Sequence, residues 1–423
     1  MRVTVLEFWL WMKVLSASDE GLNQMSTVIR RDRNHPSIFI WCLGNEEPAI
    51  QGSEKGIMII ERMKAIQRKL DPSRPCTAAM NGSWGQGFTK AVDVQGFNYY
   101  TIGTWTKGGS VDDIHKRFPN LPCILTEEAS TLMTRGIYKT EAEKGFHQSY
   151  DRDHPDWGAT AQRWMKFVDE RKFLAGAFVW TGFDYLGEPS PYDTDSWPNH
   201  SSMFGIIDLA SLPKDRYYLY RSVWNKEAET LHILPHWTWP GREGEVTPVF
   251  VYTNYPTAEL FIYGKQSKNN SSLKNRYRLM WMDTKYEPGE VKVVAYDKNG
   301  KAVAEKVVRT AGKPHHIELV SNRNELTADG KDLAYVTVKV VDKDGNLCPA
   351  DNRQINFSVK GTGKYRAAAN GDPTNLEQFH LPKMHAFNGM LTAILQAGET
   401  AGEIVFTAKA NGVKAGNIRI QTK

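Results

Sequence analysis

Apolar residues recur at Ile59, Met63, Ile66 and Leu70 with polar residues between them, the spacing of one face of a helix. Ser53 stands ahead of this stripe as an N-cap, and Asp71-Pro72 stops it, because proline supplies no N–H and crowds the preceding turn. Short, largely apolar runs lie on either side of such segments, at 37–43, 92–99, 123–126 and 177–180. Runs of that length and texture suit strands of a parallel sheet, which helices cover on both faces. The alternation predicts an α/β fold over 1–227, with a (β/α)8 barrel as the best candidate.

Beyond about residue 230 the pattern shifts. The stretches 247–253, 259–263, 291–296, 337–341 and 403–408 are short, rich in β-branched and aromatic residues, and bounded by Pro and Gly. Asp297-Lys298-Asn299-Gly300 and Asp342-Lys343-Asp344-Gly345 carry the chemistry of tight turns. Two immunoglobulin-like β-sandwiches are expected, over 228–311 and 314–423, joined near Ala311-Gly312-Lys313-Pro314. The expected architecture is therefore a partial TIM barrel, containing its later strands, followed by two β-sandwiches.

Composition narrows the function classes only a little. The net charge is +5, but the basic residues are scattered, and the densest run, at 265–274, is an Asn- and Ser-rich loop. A solvated turn is expected there, and no nucleic-acid partner. Cys42, Cys76, Cys123 and Cys348 lie far apart without metal-ligand spacing, so neither a metal nor a disulfide framework is expected, and no cofactor. No run is long enough to span a membrane as a helix. The apolar start at 1–13 is interrupted by Glu7 and followed by no small-residue cleavage site, which excludes a signal peptide there. As written the chain reads as cytoplasmic, while a longer parent could be periplasmic or secreted. Thirteen Trp residues offer faces for sugar rings, although packing accounts for most aromatics.

Hydrolysis of a glycosidic bond needs a proton donor at the leaving oxygen and a second carboxylate near the anomeric carbon, about 5–5.5 Å away in retaining enzymes. Two carboxylates stand where a barrel enzyme places them, after strands. The 37–43 run leads through Gly44 and Asn45 into Glu46, and the 123–126 run leads into Glu127.

Four motifs in order give this pair a context. Arg33-Asn34-His35-Pro36-Ser37, with Trp41 and Gly44-Asn45-Glu46, resembles the acid/base signature of glycoside hydrolase family 2, the family of β-galactosidases and β-glucuronidases. Ile124-Leu125-Thr126-Glu127 resembles its nucleophile strand, Asp93-Val94-Gln95-Gly96-Phe97-Asn98-Tyr99 the strand before it, and Phe178-Val179-Trp180-Thr181-Gly182-Phe183-Asp184-Tyr185 its last barrel strand. The resemblance implies Glu46 as acid/base and Glu127 as nucleophile. It also implies Asn45 on the sugar 2-hydroxyl, Tyr99 donating to Glu127, and Trp180 as a wall of the sugar pocket. Glu128 departs from the family, which usually has an aromatic residue after the nucleophile. It is expected to face away, because a second inward carboxylate would raise the pKa of Glu127.

His35 is read as a structural cap at the strand entrance in preference to a ligand. Asp184, Asp193, Asp195 and Glu188 are candidates equally for substrate contact and for loop hydrogen bonding. Glucuronidases of the family carry an Asn-x-Lys element before a Gly-Ile pair; here Ser202-Met203-Phe204 precedes Gly205-Ile206, with no lysine. The resemblance thus implies a β-galactosidase-like enzyme acting on a neutral terminal β-linked sugar by double displacement, with carbohydrate as its partner. Only residues 1–36 precede the acid/base strand, enough for a helix near 21–31 and a strand remnant near 3–9. The chain is accordingly expected to be N-terminally truncated and, alone, weakly active or inactive. The alternative is an inactive fragment serving at most as a carbohydrate-binding or interaction module.

Overall fold

The computed structural model describes residues 18–99, 111–189, 197–266 and 277–423. The strand remnant near 3–9, Asp193, Asp195 and most of the 265–274 loop lie outside the described residues. By its internal packing the chain divides into two compact units. One holds the described residues up to 132 together with 152–182, and the other holds 133–151 and 183–423. The sequence boundary at 227 falls inside the second unit.

The first unit is built of helices alternating with parallel strands: α1 (Asp19–Asp32), β1 (Trp41–Asn45), α2 (Glu54–Leu70), β2 (Cys76–Met80), β3 (Val94–Asn98), α3 (Val111–Arg117), β4 (Cys123–Ala129), α4 (Ala161–Asp169) and β5 (Leu174–Trp180). The strands pair in sequence order, each parallel to the next. The sheet curls so far that Phe39, just ahead of β1, stacks on Phe178 of β5 with ring centroids 6.0 Å apart. That curvature belongs to a barrel wall.

Local sequence explains the elements. The Ser53 hydroxyl accepts the N–H of Gly56 and caps α2, which ends at Leu70 with Asp71 as its C-cap, as the proline signal requires. The buried face of α2 is Gly56, Ile60, Met63 and Gln67, while Ile59, Ile66 and Leu70 are half-buried against the same core. The stripe is thus rotated by part of a turn from its expected centre. Ser18 caps α1 in the same way. The strand β2, Cys-Thr-Ala-Ala-Met, is buried throughout yet made of small residues that give no strong apolar signal. Gly96 allows β3 to lie close to its neighbours: a Cβ there would stand 2.3 Å from the Ala78 carbonyl oxygen and 2.9 Å from Thr126 Cγ2. Burial pushes the thiols of Cys42, Cys76, Cys123 and Cys348 up to about 11, so they are neutral packing groups at pH 7.

In the second unit, α5 (Asp215–Trp224) leads into two sheets. β6 (Leu231–Leu234), β7 (Val249–Thr253) and β10 (Leu279–Trp281) form one. The other holds β8 (Thr257–Ile262), β9 (Lys265–Gln266), β11 (Glu290–Tyr296) and β12 (Ala302–Arg309). Alternate residues of β11 are buried, and Val291 and Val293 join Trp237, Val249 and Trp281 in one core. Two further sheets follow. One is β13 (His316–Ser321), β15 (Leu333–Val341), β19 (Met390–Ala397) and β17 (Gly363–Ala369). Its partner is β14 (Glu325–Leu326), β21 (Gly416–Thr422), β20 (Gly402–Lys409), β16 (Gln354–Gly361) and β18 (Lys383–His385). Their inner faces share Val336, Val338, Leu391, Ile355, Ile404 and Phe406. Both turn signals form turns: Asp297 Oδ1 accepts the N–H groups of Asn299 and Lys301, and Asp342 Oδ1 those of Asp344 and Asn346. The first joins β11 to β12.

The tail of the barrel sequence is tied to the last sandwich within this unit. Arg135 donates from Nε to Asp208 Oδ2 at 2.5 Å and from Nη2 to the carbonyls of Asn370 and Phe387. Gly371 lies flush on the pair, since a Cβ there would sit 2.0 Å from Asp208 Oδ2.

Candidate active site

The sequence-derived candidates of the first unit collect at the C-terminal ends of its strands. Glu46 follows β1 directly, Asn98 closes β3, Tyr99 follows it, Glu127 lies near the end of β4, and Trp180 ends β5. A parallel sheet sets all its strands running one way, so residues at these positions share one face. His35 lies before β1, at the opposite end, exposed, with its Nδ1 accepting the N–H of Ser37. That is the structural cap expected of it.

Backbone geometry aims the side chains. Glu46 leaves β1 with φ +47°, and Tyr99 leaves β3 with φ +53°. A left-handed conformation costs a non-glycine residue roughly 1–2 kcal/mol, and it turns the side chain out of the strand's alternation. Each is held there by a backbone bond, from Glu46 N–H to the Ala79 carbonyl and from Tyr99 N–H to the Glu127 carbonyl, both 2.8 Å. Asn98 and Glu127 are partners in the β3–β4 register.

Both carboxylates receive a donor. The Tyr99 hydroxyl donates to Glu127 Oε2 at 2.7 Å, as the resemblance implies. Asn98 Nδ2 donates to Glu46 Oε1 at 2.9 Å, a contact the sequence reading missed. Thr126 Oγ1 in turn donates to Asn98 Oδ1 at 2.6 Å. Burial, then the charges of Glu127 and Glu46, push the Tyr99 hydroxyl well above its usual value. It therefore stays protonated and remains a donor. Glu127 is 8% exposed, and a buried carboxylate needs such donors to keep its charge. Trp180 is half-buried at the end of β5, and Asn45 is half-buried beside Glu46. Glu128 is fully buried within β4, so it does not reach the protein surface.

Asp184, of the second unit, is committed elsewhere. Lys214 Nζ lies 2.6 Å from Asp184 Oδ2 and 2.7 Å from Oδ1, and it also donates to the carbonyls of Met133 and Met203. The Gly205 N–H donates to Asp184 Oδ1. These are the loop hydrogen bonds that one of its two sequence readings expects. Glu188 takes a hydrogen bond from the Tyr185 hydroxyl. Among the described residues no group of three or more His, Cys, Asp or Glu is arranged to hold a metal ion.

Comparison with known proteins places this arrangement. Residues 16–226 match the family model for the glycosyl hydrolases family 2 TIM barrel domain, and 317–419 match the glycoside hydrolase family 2 C-terminal domain 5. Residues 244–304 match a domain of unknown function. A β-galactosidase of Bacteroides ovatus is 36% identical over 98% of this chain and 54% of its own length. A putative β-glucuronidase of Formosa agariphila is 31% identical over 82% of this chain and 34% of its own length. The crystal structure of a β-glycosidase from Bacteroides vulgatus superposes with a TM-score of 0.81 at 30% identity, over 94% of this chain and 53% of that one. The chain thus spans about a third to a half of the length of these relatives. Two models of one family match, one over the parallel barrel strands and one over the last sandwich: the chain belongs to glycoside hydrolase family 2.

Proposed function

We propose that the chain carries the catalytic pair of a retaining β-glycosidase, β-galactosidase-like in specificity. Glu127 is the nucleophile and Glu46 the acid/base. The observation that carries the reading is the placement of both carboxylates on one face of the parallel sheet, each with its own hydrogen-bond donor. Glu127 attacks the anomeric carbon while Glu46 delivers a proton to the leaving oxygen, and a covalent glycosyl-enzyme forms. Water then enters, Glu46 removes its proton, and the released sugar regains the β configuration. The Tyr99 hydroxyl keeps Glu127 ionised before attack. Asn45 is assigned to the 2-hydroxyl and Trp180 to a wall of the pocket.

A neutral sugar is favoured by the B. ovatus relative, named a β-galactosidase, and by the lack of a lysine at 202–204. Lys214, the nearest lysine in sequence, is fully occupied by Asp184 and two carbonyls. The two carboxylates are separated experimentally by their leaving-group demands. In a longer parent enzyme that carries this chain, Glu127→Gln abolishes turnover of every glycoside, because no other group forms the covalent intermediate. Glu46→Gln spares the first step for activated aryl glycosides, which need little protonation, and slows alkyl glycosides by about 10²–10⁴-fold. Equal losses on both substrate types in both variants contradict the assignment.

A further inference from the structure

We propose that Thr126 and Asn98 are positioning residues for Glu46, a two-bond relay that orders which of its oxygens carries the catalytic proton. The proposal rests on the reading of Glu46 as acid/base.

The amide of Asn98 can present either its NH2 or its oxygen to a neighbour, and the two choices have opposite effects on a carboxyl group. Thr126 Oγ1 donates to Asn98 Oδ1 at 2.6 Å, which engages the amide oxygen. The NH2 end is then turned to Glu46 Oε1, 2.9 Å away. An oxygen facing an NH2 group accepts and has no use for a proton, so Oε1 is the anionic oxygen in the charged form and the carbonyl oxygen in the acid form. The proton is therefore kept off Oε1 and falls on Oε2. Without the hydroxyl, a flipped amide would face Glu46 with Oδ1. That orientation favours a protonated Oε1, holding the proton away from the leaving group.

The surroundings are built for this contact. Asn98 and Thr126 are 2% and 3% exposed, so water does not compete for the amide. The room for the Thr126 side chain comes from Gly96, where a Cβ would stand 2.9 Å from Thr126 Cγ2 and 3.0 Å from Oγ1. The relay spans three strand ends, from β4 through β3 to the residue after β1, and Thr126 directly precedes the nucleophile. Any displacement of β4 therefore reaches both catalytic carboxylates together.

The test follows Glu46 by carbon NMR of the side-chain carboxyl in the full chain labelled with carbon-13 glutamate, its signal identified by loss in Glu46→Gln. Thr126→Val keeps shape and removes the hydroxyl; Thr126→Ser keeps the hydroxyl. The titratable neighbours Tyr99 and Glu127 are the same in both. Loss of the amide donor disfavours the charged form, so the Glu46 midpoint in Thr126→Val rises by about one pH unit, and Thr126→Ser titrates as the parent does. Should Thr126→Val fail to fold, Asn98→Ala breaks the relay at its other member and gives the same upward move. An unmoved midpoint in the folded variant, or an equal rise in Thr126→Ser, overturns the proposal. Failure of the underlying reading looks different: Glu46→Gln in a longer parent enzyme would then hydrolyse alkyl glycosides at the unsubstituted rate, whatever the titration shows.

Discussion

Replacing Lys214 by methionine tests how the second unit holds the segment that follows the barrel strands. Lys214 is 1% exposed and its ammonium makes bonds of 2.7 Å to Asp184 Oδ1 and to the Met133 carbonyl. Methionine fills much of the same space but leaves the Asp184 carboxylate buried with the Gly205 N–H as its remaining donor. Burial already pushes Asp184 up, with Lys214 pulling it down, and burial likewise pulls Lys214 down. Without Lys214 the Asp184 carboxyl, already at about 7, takes up a proton at pH 7, and breaking one side of the buried pair in this way costs up to about 3–5 kcal/mol. The Lys214→Met/Asp184→Asn double variant removes both charges, and the amide introduced at position 184 can still accept from the Gly205 N–H. It should recover most of the stability lost in Lys214→Met, since replacing a whole buried pair is often near neutral. The assay is urea unfolding at pH 7 by tryptophan fluorescence, fitted transition by transition because the chain holds two units. A single-variant loss below about 1 kcal/mol, or a double variant equal to the sum of its singles, would refute the reasoning.

Two further outcomes are expected. In a longer parent enzyme that carries this chain, turnover of chromogenic β-galactosides should exceed that of β-glucuronides by more than about tenfold, because no lysine stands at 202–204 to pair a uronate; a preference for glucuronides would show a cation reaching the pocket. Asp342 should contribute to the acid limb of stability. Burial opposes its charge, but bonds from Asn346 and from the N–H groups of Gly312, Asn346 and Asp344 win and hold it at about 2. Its folded pKa is depressed, so its contribution is complete above the ordinary value near 4 and is lost as pH falls through 2. Asp342→Asn should flatten the stability profile by about 2 kcal/mol across that window, checked by urea titrations at each pH.

What the sequence made legible was local. The α2 cap and stop, the strand runs and the two Asp-led turns depend on residues a few positions apart, and each signal has one dominant physical cause. Glu46 and Glu127 were visible because apolar strands lead into them and because family motifs surround them. The contacts that act on them were not. Asn98 lies 52 residues from Glu46 and 28 from Thr126, and no periodicity links them. Gly96 was the nearest clue, a glycine inside a strand, where close backbone approach is a usual reason. The strand β2 escaped because alanines and threonine pack between large neighbours without looking apolar. Asp184 was ambiguous for the same reason as Asn98: its partner, Lys214, is 30 residues away.

The central claim is that Glu127 forms the covalent bond to sugar, and a mechanism-based label tests it most directly. A 2-deoxy-2-fluoro-β-galactosyl donor with a good leaving group slows release of the glycosyl-enzyme and lets it accumulate. Peptide mass spectrometry of a labelled longer parent enzyme that carries this chain should then find the sugar on Glu127, with no label in Glu127→Gln. Label on Glu46 or Glu128, or hydrolysis of galactosides with no covalent sugar at any carboxylate, would contradict the account.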